Sequence, residues 1–379
     1  TAHAASNTGI QTFTGNEHHY HSWSSYYGTP DPKPTNYSED FTRNTGIKIY
    51  GTTNNGSSSS TNYIKSDSST ICVDFANAAA LYFPSDKYMT YYDNSYSFQI
   101  LSGSTVKWQA TYNGSTYTEV TGKDSNGNDV RTTYYKKVLN VNGKTTTTTS
   151  TSSSLRRFNP TDFGTNFISL SDGSYTIKIS RSYYWGKKVG TSIFIFGPNV
   201  YYSSTMTLTG TLIVDTTEPT LSMRGYSSGS TIANGAYTKE RVTFTASDRN
   251  HYRLYYKTPT SGGYGYTTGS TYTSGTTNGW YYVYAEDTMG HRSPEYSFYY
   301  DNTAPTGRVY SNGTSVSSGA YISKAFSYSA TDNGSGVANI YYKTPVSGVY
   351  VPYSSGAVIP ANSGDGWYYF YSVDRCGNT

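Results

Sequence analysis

Apolar and polar residues alternate over short stretches along most of the chain. Because successive side chains of a strand point to opposite faces, this period of two predicts β-strands, most clearly at residues 106–112, 175–179 and 205–214. Glycine, asparagine and serine separate these stretches, and Asn113-Gly114 is typical of a hairpin turn. The threonine- and serine-rich residues 144–154 predict a mobile loop or a long hairpin tip, and only residues 76–81 fit a helical turn. The pattern therefore indicates an all-β protein.

Residues 215–379 contain the same series of motifs twice. The paired motifs are Asp215-Thr-Thr-Glu-Pro219 and Asp301-Asn-Thr-Ala-Pro305, Gly235-Ala-Tyr237 and Gly319-Ala-Tyr321, Tyr255-Tyr-Lys-Thr-Pro259 and Tyr341-Tyr-Lys-Thr-Pro345, and Asn278-Gly-Trp-Tyr-Tyr-Val-Tyr284 and Asp365-Gly-Trp-Tyr-Tyr-Phe-Tyr371. Their offsets of 84 to 87 residues are too long for a solenoid repeat, in which neighbours share one core. The period instead predicts two small domains, each with its own core, connected in tandem.

Two further motifs recur in the same order in both copies. A central Ala-Ser-Asp248 matches Ala-Thr-Asp332, and the closing Asp287-Thr-Met-Gly290 matches Asp374-Arg-Cys-Gly-Asn378. Together with the Asp-x-Thr-x-Pro openings, these motifs resemble those of bacterial immunoglobulin-like domains, which occur in tandem on Gram-positive surface and secreted proteins. The resemblance covers about residues 215–379, and a looser echo that lacks the closing motif covers residues 96–215.

The resemblance implies tandem immunoglobulin-like β-sandwiches, preceded by a larger, divergent N-terminal β-sandwich. The implied domains span residues 215–300 and 301–379, and the N-terminal sandwich spans residues 46–214. Residues 1–45, in which Pro30, Pro32 and Pro34 are two apart, are predicted to form an extended segment. The family pattern has one more strand after Asn378-Thr379, so the resemblance also implies that the last domain is truncated.

An aromatic stripe runs along one strand of each copy. Val283 and Ala285 are the natural core residues of the first stripe, so the residues between them are predicted to point outward. In immunoglobulin-like sandwiches the Tyr-Tyr-Lys strand is its neighbour. The candidate ligand-binding residues are therefore Trp280, Tyr282, Tyr284 and Tyr255 in the first copy and Trp367, Tyr369, Tyr371 and Tyr341 in the second. Each face could stack sugar rings or contact another subunit, and the alternative is tyrosine pairing that only stabilises the sheet.

The N-terminal region supplies a second set of aromatic residues. The whole chain contains 44 tyrosines, each of which can bury its ring while its hydroxyl stays in water. When unequal domains occur in tandem, the odd one often binds the ligand and the repeated ones act as spacers. This association favours residues 1–214 as the ligand site. Trp23 and Trp185 are its candidate contacts.

Charge and hydropathy exclude several classes of function. The net charge is +4 without a clustered basic stripe, so no nucleic-acid partner is expected. No run of eighteen apolar residues occurs, which predicts no membrane span in this chain. Cys72 and Cys376 fall in different predicted domains and are not expected to form a disulfide. No supported pairing of a nucleophile with a base emerges, so the chain is predicted not to be an enzyme.

Three groups of residues could bind a metal. The first is a histidine-rich segment, and the alternative for it is an exposed polar segment without a metal. The second is a loop with oxygen ligands at alternate positions, and the alternative for it is a tight turn. Their candidate ligands are His18, His19 and His21, and Asp124, Asn126 and Asn128. The third group is the set of repeated acids, which could meet at domain junctions and hold calcium, or could only cap turns. These acids are Asp215, Asp248 and Asp287 with Asp301, Asp332 and Asp374. No cofactor other than calcium is expected.

These features together predict an extracellular bacterial protein, secreted or attached to the cell surface, that does not catalyse a reaction. The leading hypothesis is adhesion, with a glycan or a surface protein as the ligand of the aromatic faces and the repeats as a stalk. A self-associating structural subunit of an extracellular filament or surface lattice is one alternative. An accessory region of a larger secreted carbohydrate-active enzyme is the other.

Overall fold

The computed structural model describes residues 12–23, 36–51, 63–66, 68–78, 90–188 and 199–379. Strands dominate these residues, and the helices among them are two short 3-10 turns, Ser153–Arg156 and Pro160–Phe163. The predicted all-β class is therefore confirmed. None of the described helices is long and apolar enough to span a lipid bilayer. The chain divides into two compact units, Thr1–Thr216 and Thr217–Thr379.

The first unit contains one large sheet and one small sheet. The large sheet has the order β2-β1-β12-β11-β6-β7-β8-β9, with β4 added in parallel to β12, and the small sheet has the order β10-β5-β3. The strands are β1 (Thr12–Trp23), β2 (Asn36–Asn44), β3 (Lys48–Gly51), β4 (Tyr63–Ser66), β5 (Thr70–Asp74), β6 (Thr90–Ser102), β7 (Thr105–Lys123), β8 (Asp129–Val141), β9 (Lys144–Ser150), β10 (Thr165–Ser169), β11 (Gly173–Lys188) and β12 (Asn199–Val214).

One aromatic core joins these two sheets. Phe75 follows β5, and its ring lies edge-on to Phe98 of β6 at 5.2 Å and to Phe163 of the second 3-10 turn at 5.3 Å. Phe158 stacks on Tyr112 of β7 at 4.4 Å. Because strand residues alternate between faces, the inward rings of β6 and β7 meet the small sheet while their neighbours stay accessible.

Three local predictions for the first unit differ from the structure. Strands β1 and β2 lie within residues 1–45, predicted as an extended segment, and β1 pairs with β2 on one edge and with β12 on the other. Asn113-Gly114 is not a turn, because β7 continues through it and pairs with β8. A Cβ at Gly114 would lie 2.3 Å from the Tyr112 hydroxyl, so close packing explains this glycine. Most of the threonine-rich stretch forms strand β9, not a mobile loop.

The first repeat of the second unit, residues 217–300, consists of two facing sheets. Their orders are β13-β15-β18 and β14-β20-β19-β16-β17. Between them lies a core in which Phe244, Tyr281, Val283 and Phe298 are at most 1% exposed. The strands are β13 (Thr220–Gly225), β14 (Ala236–Thr238), β15 (Val242–Ser247), β16 (His251–Lys257), β17 (Gly265–Thr267), β18 (Thr271–Thr273), β19 (Gly279–Asp287) and β20 (Tyr296–Tyr300).

The second repeat, residues 301–379, has sheets of order β22-β21-β23-β26 and β25-β24-β27. The sequence motifs align these strands with those of the first repeat, β27 with β19 and β24 with β16, but β14 and β20 have no counterpart strand among the described residues. The thiols of Cys72 and Cys376 are free and buried. The strands are β21 (Thr306–Ser311), β22 (Thr314–Val316), β23 (Phe326–Thr331), β24 (Val337–Lys343), β25 (Val351–Pro352), β26 (Val358–Ile359) and β27 (Tyr369–Asp374).

Candidate functional site

The aromatic stripe of the first repeat lies on the outer face of β19. Tyr281 and Val283 point into the core and are 1% and 0% exposed. The residues between and beside them, Trp280, Tyr282 and Tyr284, are half-buried. The alternation predicted from the sequence is therefore confirmed, and the three candidate side chains share one accessible face.

Strand β16 adds a second row of side chains to this face, as predicted. Tyr255 lies opposite Tyr284, and their rings stack with centroids 4.9 Å apart and planes 11° apart. Lys257 lies opposite Tyr282, with its Nζ atom 6.0 Å from the ring centroid. Such cross-strand pairs stabilise a sheet by about 0.2–1 kcal/mol each, so they also hold the rings in place.

The face extends across the whole five-stranded sheet. On the β20 side, Trp280 lies 5.4 Å from Tyr299 and 5.7 Å from Tyr237 of β14. On the β17 side, Tyr264 and Tyr266 are 41% and 54% exposed, and Tyr264 lies edge-on to Tyr284 at 5.3 Å. Rings therefore cover this face on both sides of β19, next to Trp280 towards β20 and next to Tyr284 towards β17.

Two guanidinium groups lie against rings of this face. Arg253 is 4.1 Å from the centroid of Tyr266, and Arg292 is 5.0 Å from that of Tyr284. The Nε–H group of Arg292 donates a hydrogen bond to the Glu286 carboxylate at 2.8 Å, which raises the pKa of Arg292 and holds its side chain in place. Burial raises the pKa of the Tyr284 hydroxyl, so this ring stays neutral well above physiological pH. Arg253 and the Arg292–Glu286 ion pair therefore border the face on the side of β16 and β17.

The same arrangement of rings and lysine occurs in the second repeat, where the side chains are more exposed to solvent. Tyr341 stacks on Tyr371 at 5.0 Å, and Nζ of Lys343 lies 4.5 Å from the ring of Tyr369. Trp367 and Tyr369 are 51% and 47% exposed. The structure therefore brings Tyr341, Tyr369 and Tyr371 together on one sheet face, and Trp367 lies just before the start of β27.

Three acids of the second repeat also converge. Asp301, Asp332 and Asp374 each direct a ligand atom into a cluster whose members lie within 4.8 Å of one another. Asp301 and Asp374 are 0% and 2% exposed, and no lysine or arginine of the described residues forms a salt bridge with any of the three. Oxygen ligands of this type are those that calcium prefers. These residues could hold such an ion, and calcium stays a prediction.

Each of these carboxylates also organises a turn. Asp301 accepts hydrogen bonds from the Ser335 N–H at 2.6 Å and from Asn278 Nδ2 at 2.6 Å. Asp332 accepts from the backbone N–H groups of Gly334 and Gly336 at 3.0 and 2.7 Å. Asp374 accepts from Asn378 N and Nδ2 at 2.8 and 2.7 Å. Turn capping, the simpler role predicted for these acids, is therefore present whether or not an ion is bound.

The other two predicted metal groups stay predictions. Asp124 caps the β7–β8 turn and accepts from the N–H groups of Asn126 and Asn128 at 2.8 and 2.9 Å. The hydrogen bond from the Asn128 N–H lowers the pKa of Asp124. Among the described residues, neither Asp124 nor His18, which is exposed, lies in a group of three converging histidine, cysteine or acidic side chains. The side chains of His19 and His21 lie outside the described residues.

The N-terminal candidates Trp23 and Trp185 belong to β1 and β11, but their side chains also lie outside the described residues. On the outer face of the same sheet, small residues form a shallow groove of about 390 Å³. Its floor consists of hydroxyl-bearing residues from four adjacent strands, which sequence reasoning did not identify. These are Ser95, Ser97, Thr111, Ser180, Ser182, Thr205 and Thr207.

A buried polar network beneath this sheet also escaped sequence reasoning. Arg181 and Asp93 form an ion pair at 2.6 Å, with side chains 4% and 1% exposed. The Tyr183 hydroxyl donates to the carboxylate of Glu17, which is 1% exposed. These residues are far apart in sequence, so only strand pairing brings them together. The pairing of the charges identifies the network as structural, because it leaves no isolated buried charge.

One catalytic motif match also escaped the sequence analysis. Residues 225–229, Gly-Tyr-Ser-Ser-Gly, fit the pattern Gly-x-Ser-x-Gly, which in hydrolases forms a sharp turn between a strand and a helix. Here they form a turn after β13 that no helix follows. The Ser228 hydroxyl donates to Glu240 at 2.7 Å, and the backbone N–H groups of Ser227 and Ser228 bond the same carboxylate. The match is therefore a capped turn.

Comparison of the sequence with protein-family models and with curated proteins gives no match.

Proposed function

We propose that this chain is a non-catalytic binding protein that acts outside a bacterial cell and holds a ligand on the aromatic faces of its two repeats. The observation that carries the proposal is the row of outward rings that recurs, position for position, in both repeats. Trp280 and Tyr282 of the first repeat match Trp367 and Tyr369 of the second. A glycan is the ligand class that suits these faces best.

The geometry of the rings supports a glycan ligand. The apolar faces of sugar rings stack on flat aromatic surfaces, and their hydroxyls need donors and acceptors at the rim. The cross-strand stacking of Tyr255 on Tyr284, and of Tyr341 on Tyr371, immobilises the rings before a ligand arrives. Ligand binding then costs little additional side-chain entropy, which otherwise opposes association by about 0.5–1.5 kcal/mol per side chain.

The charges around the faces refine the ligand class. Lys257 and Arg253 border the first face, and Lys343 borders the second. Cations beside an aromatic surface favour a ligand that carries carboxylate or sulfate groups along with its sugar rings. We therefore expect acidic glycans to bind more tightly than neutral ones, and the difference to shrink at high salt.

A glycan array on the whole chain, followed by calorimetry with the best ligand, tests this function. The double variant Trp280→Ala, Trp367→Ala should weaken binding by about tenfold or more, since aromatic anchors carry most of the binding energy of such sites. Tyr226→Ala is the matched control, because this ring is 59% exposed on the turn after β13, away from both faces. Equal loss of affinity in both proteins, or no ligand on the array, would contradict the proposal.

Self-association is the alternative that the exposure of the second face favours. Tyr321 and Trp367 are 95% and 51% exposed and lie in ring contact at 5.8 Å. Light scattering coupled to size-exclusion chromatography, over a range of protein concentrations, separates the two functions. A monomer at every concentration supports the binding protein. Large species that grow with concentration and disappear in the double tryptophan variant would make the faces interfaces between copies.

A further inference from the structure

A further tyrosine, which the sequence analysis did not identify, lies at the side of each aromatic face. Tyr264 of the first repeat is edge-on to Tyr284, with ring centroids 5.3 Å apart and planes 61° apart. Tyr350 of the second repeat is edge-on to Tyr371 in the same way, at 4.9 Å and 76°. These two rings are 41% and 44% exposed. Each face therefore includes a corner with a floor and one wall, formed in the first repeat by Tyr282, Tyr284 and Tyr264 and in the second by Tyr369, Tyr371 and Tyr350.

The turn that carries the wall has the same hydrogen bonds in both repeats. The Thr258 N–H donates to the Ser261 hydroxyl at 2.8 Å, and the Thr344 N–H donates to the Ser347 hydroxyl at 3.2 Å. Hydroxyl side chains that bond a nearby backbone group in this manner define the path of a turn. The position of the wall is therefore set within the turn itself.

A proline of each turn also packs closely against the strand segment that carries the stripe. A Cβ at Gly279 would lie 2.7 Å from Pro259, and a Cβ at Gly366 would lie 2.7 Å from Pro345. The two glycines have φ angles of 135° and 134°, which favour glycine. The turn and the stripe are thus fixed against each other, so the corner exists before a ligand binds, and this lowers the entropic cost of binding.

The strands of the two corners differ in charge. In the first repeat, β16 carries Arg253 and β19 carries Glu286 at paired positions. The Tyr255 hydroxyl donates to the Glu286 carboxylate at 3.5 Å. Arg292 is bonded to the same carboxylate and lies 5.0 Å from the ring of Tyr284. The first corner therefore has a carboxylate at its side, which would repel an anionic ligand group.

The second repeat has uncharged residues at the same paired positions, Asn339 on β24 and Val373 on β27. Apart from Asp374, which is 2% exposed, Lys343 is the only charged residue of these two strands. A ligand on this part of the face therefore meets one positive charge and no strand carboxylate beside the rings.

The ammonium group of Lys343 lies between the floor and the wall of its corner. Its Nζ atom is 4.5 Å from the ring centroid of Tyr369 and 5.3 Å from that of Tyr350. In the first repeat, Nζ of Lys257 is 6.0 Å from the ring of Tyr282. Attraction to the two rings holds the Lys343 ammonium group in place, and its N–H donors stay available because a ring is only a weak acceptor.

We propose that the corner of the second repeat binds the anionic group of an acidic glycan, and that the corner of the first repeat binds sugar rings with little preference for charge. A sugar ring lies on Tyr369 with its edge against Tyr350, and its carboxylate or sulfate accepts a charge-assisted hydrogen bond from Lys343. The inference rests on the proposed function and assigns the preference for acidic ligands to one lysine.

Isothermal titration calorimetry on the whole chain tests the assignment with two matched pairs of ligands. One pair is an oligosaccharide of galacturonic acid and its neutral methyl ester, and the other is a sulfated dextran oligosaccharide and its unsulfated form. Lys343→Gln should weaken the binding of an acidic ligand by about tenfold, because it removes a hydrogen bond to a charged group. The affinity for the neutral ligands should stay the same. The acidic ligand that loses affinity identifies the anion as a carboxylate or a sulfate.

Lys257→Gln is the matched control, because it removes the same charge from the first repeat. It should change the affinity for the acidic ligands by less than about twofold. Added salt should weaken the binding of acidic ligands to the unchanged protein and to this control, but much less to Lys343→Gln.

The wall has a test of its own. Tyr350→Ala should weaken the binding of the acidic ligand by about fivefold or more, since aromatic contacts carry much of the binding energy of such sites. Tyr264→Ala, which removes the matching ring of the first repeat, should leave the ratio of acidic to neutral affinity unchanged.

Three outcomes would overturn the inference and leave the proposed function in place. They are an unchanged affinity of Lys343→Gln for both acidic ligands, an equal loss in the two lysine variants, and an equal loss for acidic and neutral ligands. If none of the four oligosaccharides binds the unchanged chain, the inference and the proposed function both fail.

Discussion

Replacement of Phe298 by alanine tests how much strand β20 contributes to the first repeat. The Phe298 side chain is fully buried, between Tyr281 at 5.1 Å and Phe244 at 5.9 Å. Because these flat rings are held by two sheets, the structure can collapse only partly into the space left behind. We therefore expect Phe298→Ala to lower the free energy of unfolding of the first repeat by about 3–5 kcal/mol. The second repeat, whose core is separate from the one that contains Phe298, should keep its stability.

Hydrogen exchange at the slowest amides of β15 and β19 measures this loss locally, because the two repeats need not unfold together. The same measurement on β23 and β27 follows the second repeat. Ser297→Ala on the same strand is the control, since this side chain faces outward and should change stability by less than about 0.5 kcal/mol. A loss below about 1 kcal/mol for Phe298→Ala would refute the view that β20 completes the core.

Three more predictions follow from buried or clustered polar groups. Asp93→Ala should destabilise the first unit by about 3–5 kcal/mol in urea unfolding, because it leaves Arg181 buried without its ion-pair partner. Asp332→Asn should raise the melting temperature of the second repeat in a chelator, because the amide oxygen still caps the turn while one of three clustered charges disappears. Added calcium should raise the melting temperature more in the unchanged protein than in the variant. A lower melting temperature of the variant in the chelator would contradict the argument that the three carboxylates repel one another. Burial raises the pKa of Tyr272 to about 12, so the folded state keeps a proton that the unfolded chain loses near pH 10. The contribution of the neutral Tyr272 hydroxyl to stability is complete below pH 10 and should decline towards pH 12. Alkaline unfolding of a Tyr272→Phe variant should therefore depend less on pH than that of the unchanged protein.

Much of the second unit could be predicted from its sequence. Alternation along residues 279–287 predicted which side chains face outward, and the burial of Tyr281 and Val283 confirms it. The pairing of the Tyr-Tyr-Lys strand with this one was expected from the family resemblance, and β16 pairs with β19 accordingly. The first prediction succeeded because it depends only on the period of two that every strand obeys.

The first unit was predicted less well, because long-range pairing overrides local signals there. Asn113-Gly114 has the composition of a turn, yet β6 and β8 bind both edges of β7 at that point and keep it extended. The threonine run of β9 has no hydrophobic pattern and forms a strand only because β8 provides a partner. Local propensity is a weak prior wherever two neighbouring strands determine the backbone conformation.

The sequence alone determined the all-β class, the tandem repeat and the outward orientation of the aromatic stripes. These follow from the residue types and from a spacing that any strand must obey. Only the tertiary structure decided which distant groups meet. The Arg181–Asp93 pair and the convergence of Asp301, Asp332 and Asp374 both depend on contacts between segments remote in sequence. A linear pattern specifies the face on which a side chain lies, but the partner across the sheet is set by strand order and register.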